Sequence, residues 1–293
     1  MNKYKTNALI EKTPFFDTFI SVGKDGKKRF GIRFYRWLSI FCINFFFFIS
    51  YNLDFQALEG TLSGSRFFGF HLIDPFISMQ MFLAHYKLHV NLIIGTITIL
   101  AFYLIVGGRV FCSWVCPYNI LGEISEKLHK ALVKKKIVKS RSFNCKIKYI
   151  FWAFFLFLAY FAGYLVFEII NPVGILSRAI VYGGSLALFI VAVLFLIELF
   201  FAQRFWCRYI CPIGTTYGFL GWISATKIKW DDKCDHCNAC SNVCLVPHVL
   251  DKVKNSDKKE EMIMNGDCTL CGRCIEVCHK DALKFDTKLK KLI

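Results

Sequence analysis

Eight cysteines in the last quarter of the chain have spacings that suit metal binding. The pattern C-x2-C-x2-C-x3-C occurs at Cys234–Cys244 and again at Cys268–Cys278. In iron–sulfur proteins this double pattern holds two [4Fe–4S] clusters, and the fourth cysteine of each run binds the cluster of the other run. The predicted ligands of the first cluster are Cys234, Cys237, Cys240 and Cys278. The predicted ligands of the second cluster are Cys268, Cys271, Cys274 and Cys244.

Zinc is the alternative metal for these cysteines. Zinc motifs usually pair two C-x2-C units rather than two runs of four, so the spacing favours iron and sulfide. Such runs normally continue with a proline, and here Leu245 and His279 stand in its two places. The substitution leaves ligation expected, but it predicts an altered local geometry and an altered cluster potential.

A second cysteine pattern, R-x-[FW]-C-x3-C-P, occurs twice in the middle of the chain, at Arg109–Pro117 and at Arg204–Pro212. Helical spacing of four residues would place both sulfurs of one copy on the same face. The proline then fits the first turn of a new helix or a chain break. A third iron–sulfur centre, a zinc site, a redox dithiol and simple packing at helix ends are all open for these four thiols. The four thiols are Cys112, Cys116, Cys207 and Cys211.

The elements that carry these motifs are strongly apolar. The 293 residues are 55% hydrophobic, include 32 Phe and have a mean hydropathy of +0.44, which excludes a disordered chain and an ordinary soluble domain. Four runs are long enough to cross a bilayer as helices. The runs are Trp37–Leu53, Leu88–Gly107, Tyr149–Ile170 and Ile180–Phe201. Each R-x-[FW]-C-x3-C-P motif follows an even-numbered run, so the chain reads as two similar helix hairpins.

The distribution of basic residues predicts the orientation in the membrane. Lys and Arg are concentrated in residues 1–36 and 108–148, and they are sparse in 54–87 and 171–179. By the positive-inside rule both termini are cytoplasmic, in a multi-pass protein of the bacterial inner membrane. Topology therefore accounts for much of the net charge of +16, and no nucleic-acid partner is expected. No cleavable signal peptide is expected either, because the first apolar run follows a long basic segment.

The predicted fold is mainly α. A basic cytoplasmic segment at 1–36 precedes a four-helix membrane domain at 37–222, and a small α+β ferredoxin-like domain follows at 223–293.

A redox protein in a membrane needs a reaction partner in the lipid, and quinol is the natural one. Its oxidation releases two electrons and two protons, so the site needs an apolar pocket with titratable groups. The candidates on the outer side are His71, Asp74 and Glu168, with His85 and His89 nearby in the sequence. Glu198, near the inner end of the fourth run, is either a proton acceptor or the partner of Arg204.

The chain resembles the NapH-type membrane ferredoxins over most of its length after about residue 35. The resemblance rests on GRVFCSWVCPYN at 108–119, INPVGILSRA at 170–179, WCRYICPIG at 206–214 and the cysteine runs within 237–250 and 268–278. It implies a membrane subunit that oxidises menaquinol or ubiquinol and works with a NapG-like iron–sulfur subunit. A downstream cytochrome and a terminal reductase of nitrate or nitrous oxide would then receive the electrons.

Three functions remain open at the level of sequence. In the first, the C-x3-C-P thiols relay electrons from quinol to the clusters. In the second, a copper reductase or assembly factor of the CcoG type reduces a metal at those thiols. In the third, the chain is a scaffold without activity of its own.

Overall fold

The computed structural model describes residues 20–22, 28–53, 58–67, 70–85, 90–184, 186–251, 253 and 261–288. These residues are mostly helical. The helices of the first half are α1 (Ile32–Asn52), α2 (Pro75–His85), α3 (Val90–Val106), α4 (Val110–Trp114) and α5 (Tyr118–Lys134). Those of the second half are α6 (Ile147–Ala162), α7 (Val166–Ile170), α8 (Pro172–Tyr182), α9 (Leu188–Phe200), a π-helical turn (Trp206–Ile210), α10 (Pro212–Ile223), α11 (Ala239–Val243), a 3-10 turn (Pro247–Leu250) and α12 (Arg273–Val277).

Short strands form three small antiparallel sheets. The first two sheets are β1 (Ile20–Val22) with β2 (Lys28–Phe30), and β3 (Leu58–Thr61), β4 (Gly64–Phe67) and β5 (Phe70–Ile73) in that order. The third sheet contains β6 (Thr226–Trp230), β7 (Glu261–Met262) and β8 (Leu283–Thr287), with β6 in the centre.

The chain forms two compact units. The first takes in the described parts of residues 1–39, 103–114 and 218–293, and the second takes in those of 40–102 and 115–217. The first unit is built on the sheet of β6, where Trp230 pairs with Glu261 on one side and Leu283 on the other. Ile228, Trp230 and Leu283 are almost fully buried and share one hydrophobic core with both cysteine runs. A small sheet thus supplies the apolar floor on which the cysteine loops lie.

The second unit is a helical assembly with an aromatic centre. Helix α2 packs on α6, α5 packs on α9, and α6 also packs on the π-helical turn. Phe76 and Phe155 each meet Phe167 edge to face, at ring-centroid distances of 5.4 and 5.2 Å. Edge-to-face aromatic pairs of this kind stabilise a core beyond the burial of their area.

The observed helices differ in length from the predicted membrane runs. Among the described residues, Ile32–Asn52 alone is both at least 18 residues long and apolar enough to cross a membrane. Four shorter apolar helices have 10–17 residues: Val90–Val106, Ile147–Ala162, Pro172–Tyr182 and Leu188–Phe200. The predicted run Tyr149–Ile170 is interrupted at Gly163, whose φ of 68° ends α6, and Ile180–Phe201 is interrupted at Gly183, whose φ is 95°. Glycine adopts these left-handed angles without the penalty that a side chain brings, so both helices end there.

Candidate functional site

The four cysteines predicted to bind the second cluster line one cavity. Cys244, Cys268, Cys271 and Cys274 meet there, and Ile228, Val246, Val249, Leu250 and Ile263 form most of the remaining wall. Cys271 and Cys274 are only 6% and 5% exposed. Burial, followed by the neighbouring thiol of Cys271, raises the pKa of Cys268 to about 11. The second set is therefore an enclosed group of sulfur donors with apolar walls.

The four cysteines predicted to bind the first cluster also lie close to one another. Burial, followed by the thiols of Cys234, Cys237 and Cys278, raises the pKa of Cys240 to about 11. In contrast with the second set, this group opens to solvent at Cys237, which is exposed. The two sets lie next to each other. The pKa of the Cys274 thiol is raised by burial and by the thiols of its own set, and the Cys240 thiol of the first set raises it further.

The backbone repeats one conformation in the two cysteine loops. Two residues after the first cysteine of each run, His236 and Leu270 have φ of 52° and 49°. Two residues further on, Asn238 and Gly272 have φ of 62° and 73°, and each immediately precedes a short helix. Left-handed residues in such turns direct successive N–H groups into a concavity, an arrangement found at anion and iron–sulfur sites.

Backbone amides also point at two of the sulfurs. The Val246 amide donates to Cys244 Sγ at 3.4 Å, and the Ala282 amide donates to Cys278 Sγ at 3.3 Å. These are the fourth cysteines of the two runs, which are predicted to cross between the sets. Amide hydrogen bonds to sulfur stabilise negative charge there and tune cluster potentials. Sulfur donors, apolar walls and N–H groups together fit an iron–sulfur cofactor.

The two residues that replace proline have different roles. Leu245 is 2% exposed and belongs to the core of the first unit. His279 instead lies beside the exposed cysteine: its Nε2 is 2.8 Å from Asp235 Oδ2, and its Nδ1 is 3.9 Å from Cys237 Sγ. The replacement at His279 thus puts a polar ring next to a predicted ligand.

The two C-x3-C-P copies differ from the single helical face that their spacing predicts. Cys112 lies on α4 and Cys207 in the π-helical turn, but Cys116 and Cys211 follow the ends of these elements. The predicted role of the proline is confirmed, because α5 begins directly after Pro117 and α10 begins at Pro212. Each helical segment ends before the second cysteine because proline cannot continue it.

Three of these four thiols are neighbours within the second unit. The pKa of Cys207 is raised by burial, then by the Glu198 carboxylate, with further contributions from Cys211 and Cys116. The Gly214 amide lies 3.4 Å from Cys211 Sγ. The fourth thiol, Cys112, belongs to the first unit.

Comparison with known proteins matches both cysteine patterns. A family model described as "4Fe-4S binding domain" matches residues 88–137 and again 185–231, and a "4Fe-4S dicluster domain" model matches 233–282. The "Ferredoxin-type protein NapH" of Haemophilus influenzae is 34% identical over 91% of this chain and 95% of its own length. The chain belongs to the NapH-type ferredoxin-type proteins.

Other relatives are consistent with this family. The NapH protein of Escherichia coli is 32% identical over 87% of this chain and 91% of its own. The "Methylamine utilization ferredoxin-type protein MauN" of Paracoccus denitrificans is 32% identical over 73% of this chain and 75% of its own. No solved structure matches significantly. One family model matches two segments, which confirms the internal repeat expected from the C-x3-C-P motifs. This NapH-type chain is an iron–sulfur electron-transfer protein.

Of the residues predicted to bind quinol, Asp74 has the most unusual surroundings. Its Oδ1 accepts from the backbone amides of Phe76, at 2.9 Å, and Ile77, at 3.4 Å, so it caps α2. The carboxyl also has a hydrogen bond with Tyr217. Burial raises its pKa to about 6, although these hydrogen bonds lower it, and nearby Glu168 adds a small increase.

Glu168 has three donors to its carboxylate. Ser63 Oγ lies 2.7 Å from Oε1, Arg178 Nη1 lies 2.9 Å from Oε1, and Asn171 Nδ2 lies 3.0 Å from Oε2. It therefore has the partners of a charged structural group, and its field reaches Asp74. His71 lies on β5 opposite Arg66, and His85 ends α2. His89 lies outside the described residues.

A buried polar network on α5 is absent from the sequence predictions. Arg204 Nε lies 2.7 Å from Glu126 Oε2, and its Nη2 lies 4.0 Å from Glu123 Oε1. Glu198 was expected either to accept protons or to pair with Arg204. It accepts from Ser125 Oγ at 2.9 Å and from the Trp206 amide at 3.3 Å, and it also interacts electrostatically with Arg204. The sequence does carry a signal: Glu123 and Glu126 lie three residues apart on one helix face, but surface helices show the same spacing.

Proposed function

We propose that this chain is the membrane electron-transfer subunit of a quinol dehydrogenase. It oxidises menaquinol or ubiquinol and delivers the electrons to a partner iron–sulfur subunit. The observation that carries the proposal is the contact of buried Asp74 with Tyr217, on the helix that begins at the second C-x3-C-P motif. It brings a proton acceptor at the start of α2 into contact with the helix that directly follows a redox motif.

The proposed location is the bacterial inner membrane, with four spans and both termini in the cytoplasm. Large apolar side chains on α1, α3, α6 and α9 are exposed, which supports contact with lipid because water would not favour such bands. Examples are Phe41, Phe45, Ile94, Ile97, Phe157, Phe161, Phe189 and Leu196. In this proposal the membrane domain extends from residue 37 to residue 222, between the basic N-terminal segment and the ferredoxin-like domain.

The proposed cofactors are two [4Fe–4S] clusters with crossed ligation. The gathering of the eight cysteines into two adjoining groups supports the predicted ligand sets. When bound, such clusters supply one-electron transfer. The thiols of the C-x3-C-P copies are proposed as a relay or as a third metal centre.

In the proposed reaction Asp74 is the group that accepts a proton from a quinol hydroxyl. A carboxylate with a pKa of about 6 is suited to this task, because it is mostly ionised at neutral pH and still sufficiently basic. Oxidation of one quinol to quinone releases two protons and two electrons. Tyr217 lies six residues after Cys211, which corresponds to about 9 Å of helix rise.

The proposed partner is a NapG-like iron–sulfur subunit, which passes electrons through a cytochrome to a reductase of nitrate or nitrous oxide. The NapH relatives from Haemophilus influenzae and Escherichia coli support this assignment.

A metal reductase of the CcoG type is the second candidate. It is favoured by one observation: Cys207, Cys211 and Cys116 lie near enough to influence one another electrostatically, and thiols are good ligands for copper. Reduction of Cu(II) by the dithionite-reduced protein, in the absence of quinol, would support this candidate.

The test of quinol oxidation is anaerobic electron paramagnetic resonance (EPR) of the oxidised, purified protein mixed with a menaquinol analogue. Cluster signals should appear, at a rate that rises with pH through about 6, where Asp74 becomes ionised, and then levels off. Asp74→Asn should slow the reaction at least tenfold and remove this pH dependence.

Glu59→Gln is the matched control, because Glu59 is an exposed carboxylate of the same unit. It should react like the wild type. Equal rates and equal pH profiles for Asp74→Asn and the wild type would refute the proposed site. Clusters that dithionite reduces but quinol does not would refute quinol oxidation itself.

A further inference from the structure

Residues of the first C-x3-C-P copy are bonded to the loop of the second cysteine set. Ser113 Oγ donates to the Thr269 carbonyl at 2.7 Å, and Trp114 Nε1 donates to the Leu270 carbonyl at 3.2 Å. Both carbonyls lie between Cys268 and Cys271, and the Leu270 carbonyl belongs to the peptide bond that leads into Cys271. The motif therefore reaches the ligand loop through its backbone.

The bonded loop has a conformation that needs support. Leu270 has a φ of 49°, which is unfavourable for a residue with a branched side chain. Its side chain is 5% exposed and packs closely against Gly107, where a Cβ atom would collide with Leu270 Cδ1. The segment from Gly107 to Trp114 thus holds Leu270 by both its side chain and its carbonyl.

The same segment supplies a charge beside the loop. Arg109 Nη1 lies 3.0 Å from Asp267 Oδ1, and Asp267 directly precedes Cys268. Both side chains are nearly buried. Asp267 Oδ2 also lies 2.8 Å from His248 Nε2, and Arg36 Nε donates to the Ser113 carbonyl at 3.2 Å. The contacts are therefore backed by a buried polar network rather than isolated.

The second copy makes a different set of contacts. Arg204, the counterpart of Arg109, pairs with Glu126 on α5. Tyr209, the counterpart of Trp114, accepts a hydrogen bond from the Phe143 amide at 3.3 Å. The two copies share the arginine, both cysteines and the proline, but they have separate structural roles.

We propose that Trp114, Ser113 and Arg109 are positioning residues for the second iron–sulfur centre, so that the first C-x3-C-P copy sets the shape and polarity of the Cys268–Cys271 loop. This inference rests on the cluster ligation in the proposed function and does not depend on quinol oxidation. Hydrogen bonds and nearby charge are main determinants of cluster potential. A donor to the Leu270 carbonyl polarises the peptide before Cys271, and the Arg109 cation favours electron-rich sulfur.

The test is an anaerobic redox titration of the full-length protein, followed by EPR, with dithionite as the reductant. Trp114→Phe and Ser113→Ala should each lower the midpoint potential of one cluster and leave the other unchanged. The matched control is Tyr209→Phe, which removes one buried hydrogen-bonding group at the equivalent position of the second copy. It should leave both potentials at the wild-type values.

Cys237→Ala identifies the affected cluster, because it removes a ligand of the first set. In this background Trp114→Phe should still shift the remaining signal. Should Trp114→Phe fail to fold, Ser113→Ala is the milder variant that decides the question.

Unchanged potentials and line shapes in Ser113→Ala and Trp114→Phe, with wild-type iron content, would overturn the inference. An equal shift in Tyr209→Phe would also overturn it. A wild-type protein without iron–sulfur signals would instead overturn the proposed function and the inference together.

Discussion

Arg204 is a buried cation whose counter-charges are carboxylates of α5, a helix far from it in the sequence. It is 3% exposed, and its closest partner is Glu126, at 2.7 Å. Glu126 also accepts from Lys130, but that lysine is half exposed. The buried Glu126–Arg204 pair should therefore contribute much more to stability than the exposed Glu126–Lys130 pair. Loss of its partner leaves a buried charge uncompensated, whereas water compensates an exposed one.

Glu126→Gln should destabilise the second unit by about 3 kcal/mol, since it leaves the buried guanidinium without its nearest counter-charge. Thermal or chemical unfolding of the detergent-solubilised protein measures this loss. Lys130→Gln, which removes the exposed partner of the same carboxylate, should cost less than about 1 kcal/mol. Equal losses in the two variants would show that the buried pair has no special role.

The two cysteine loops have left-handed residues at equivalent positions, Gly272 and Asn238. Gly272 has a φ of 73°, and a Cβ atom there would collide with Ile32 Cδ1. Gly272→Ala should therefore cost about 1–3 kcal/mol and lower the iron content of the purified protein. Iron and sulfide assays with unfolding curves provide the measurement.

Asn238→Gly is the matched change at the equivalent position of the first loop. Asn238 has a φ of 62°, so glycine fits the same backbone and the iron content should be retained. A loss of iron in Asn238→Gly as large as that in Gly272→Ala would contradict a backbone origin for the effect.

What could be predicted from the sequence depends on how local the information is. The gathering of Cys268, Cys271 and Cys274 follows from their spacing, and the helix starts at Pro117 and Pro212 follow from the chemistry of proline. The glycines at which the helices end, Gly163 and Gly183, are present in the sequence. Both lie inside long apolar runs, and hydropathy alone predicts a continuous helix there. The sheet of β3, β4 and β5 was also missed, because its strands have only four residues each.

Contacts between distant segments were not predictable in the same way. Asp74 with Tyr217, and Glu126 with Arg204, join residues that no periodicity relates. Trp114 was part of a recognised motif, but its bond to Leu270 depends on how the first unit assembles from separate stretches of chain. Hydropathy and spacing indicate which side chains of a segment will be buried. They do not specify which residue from a distant segment forms a hydrogen bond or an ion pair with them.

The cysteine runs and the sheet beneath them belong to one of the two compact units of the protein. Removal of iron by chelation under oxidising conditions should therefore lower the unfolding temperature of the first unit and affect the second much less. Bound metal stabilises a fold by the free energy of its binding. Circular dichroism and tryptophan fluorescence, followed during heating, would resolve the two transitions.

Cys42→Ser is the control for this experiment. Cys42 is an exposed cysteine of α1 that belongs to neither cysteine pattern, so the variant should retain its iron and both transitions. A single transition that shifts as a whole on iron removal would contradict separate stabilisation of the first unit.

The exposure of Cys237 has a consequence for the durability of the protein in air. Oxidants dissolved in water reach an accessible sulfur before an enclosed one, and Cys271 and Cys274 are enclosed. Aerobic ageing should thus damage the proposed solvent-facing cluster before the proposed enclosed one. A sample purified in air would then contain molecules with half their iron. Its visible absorbance and the number of spins measured by EPR would decrease with the time of exposure to air.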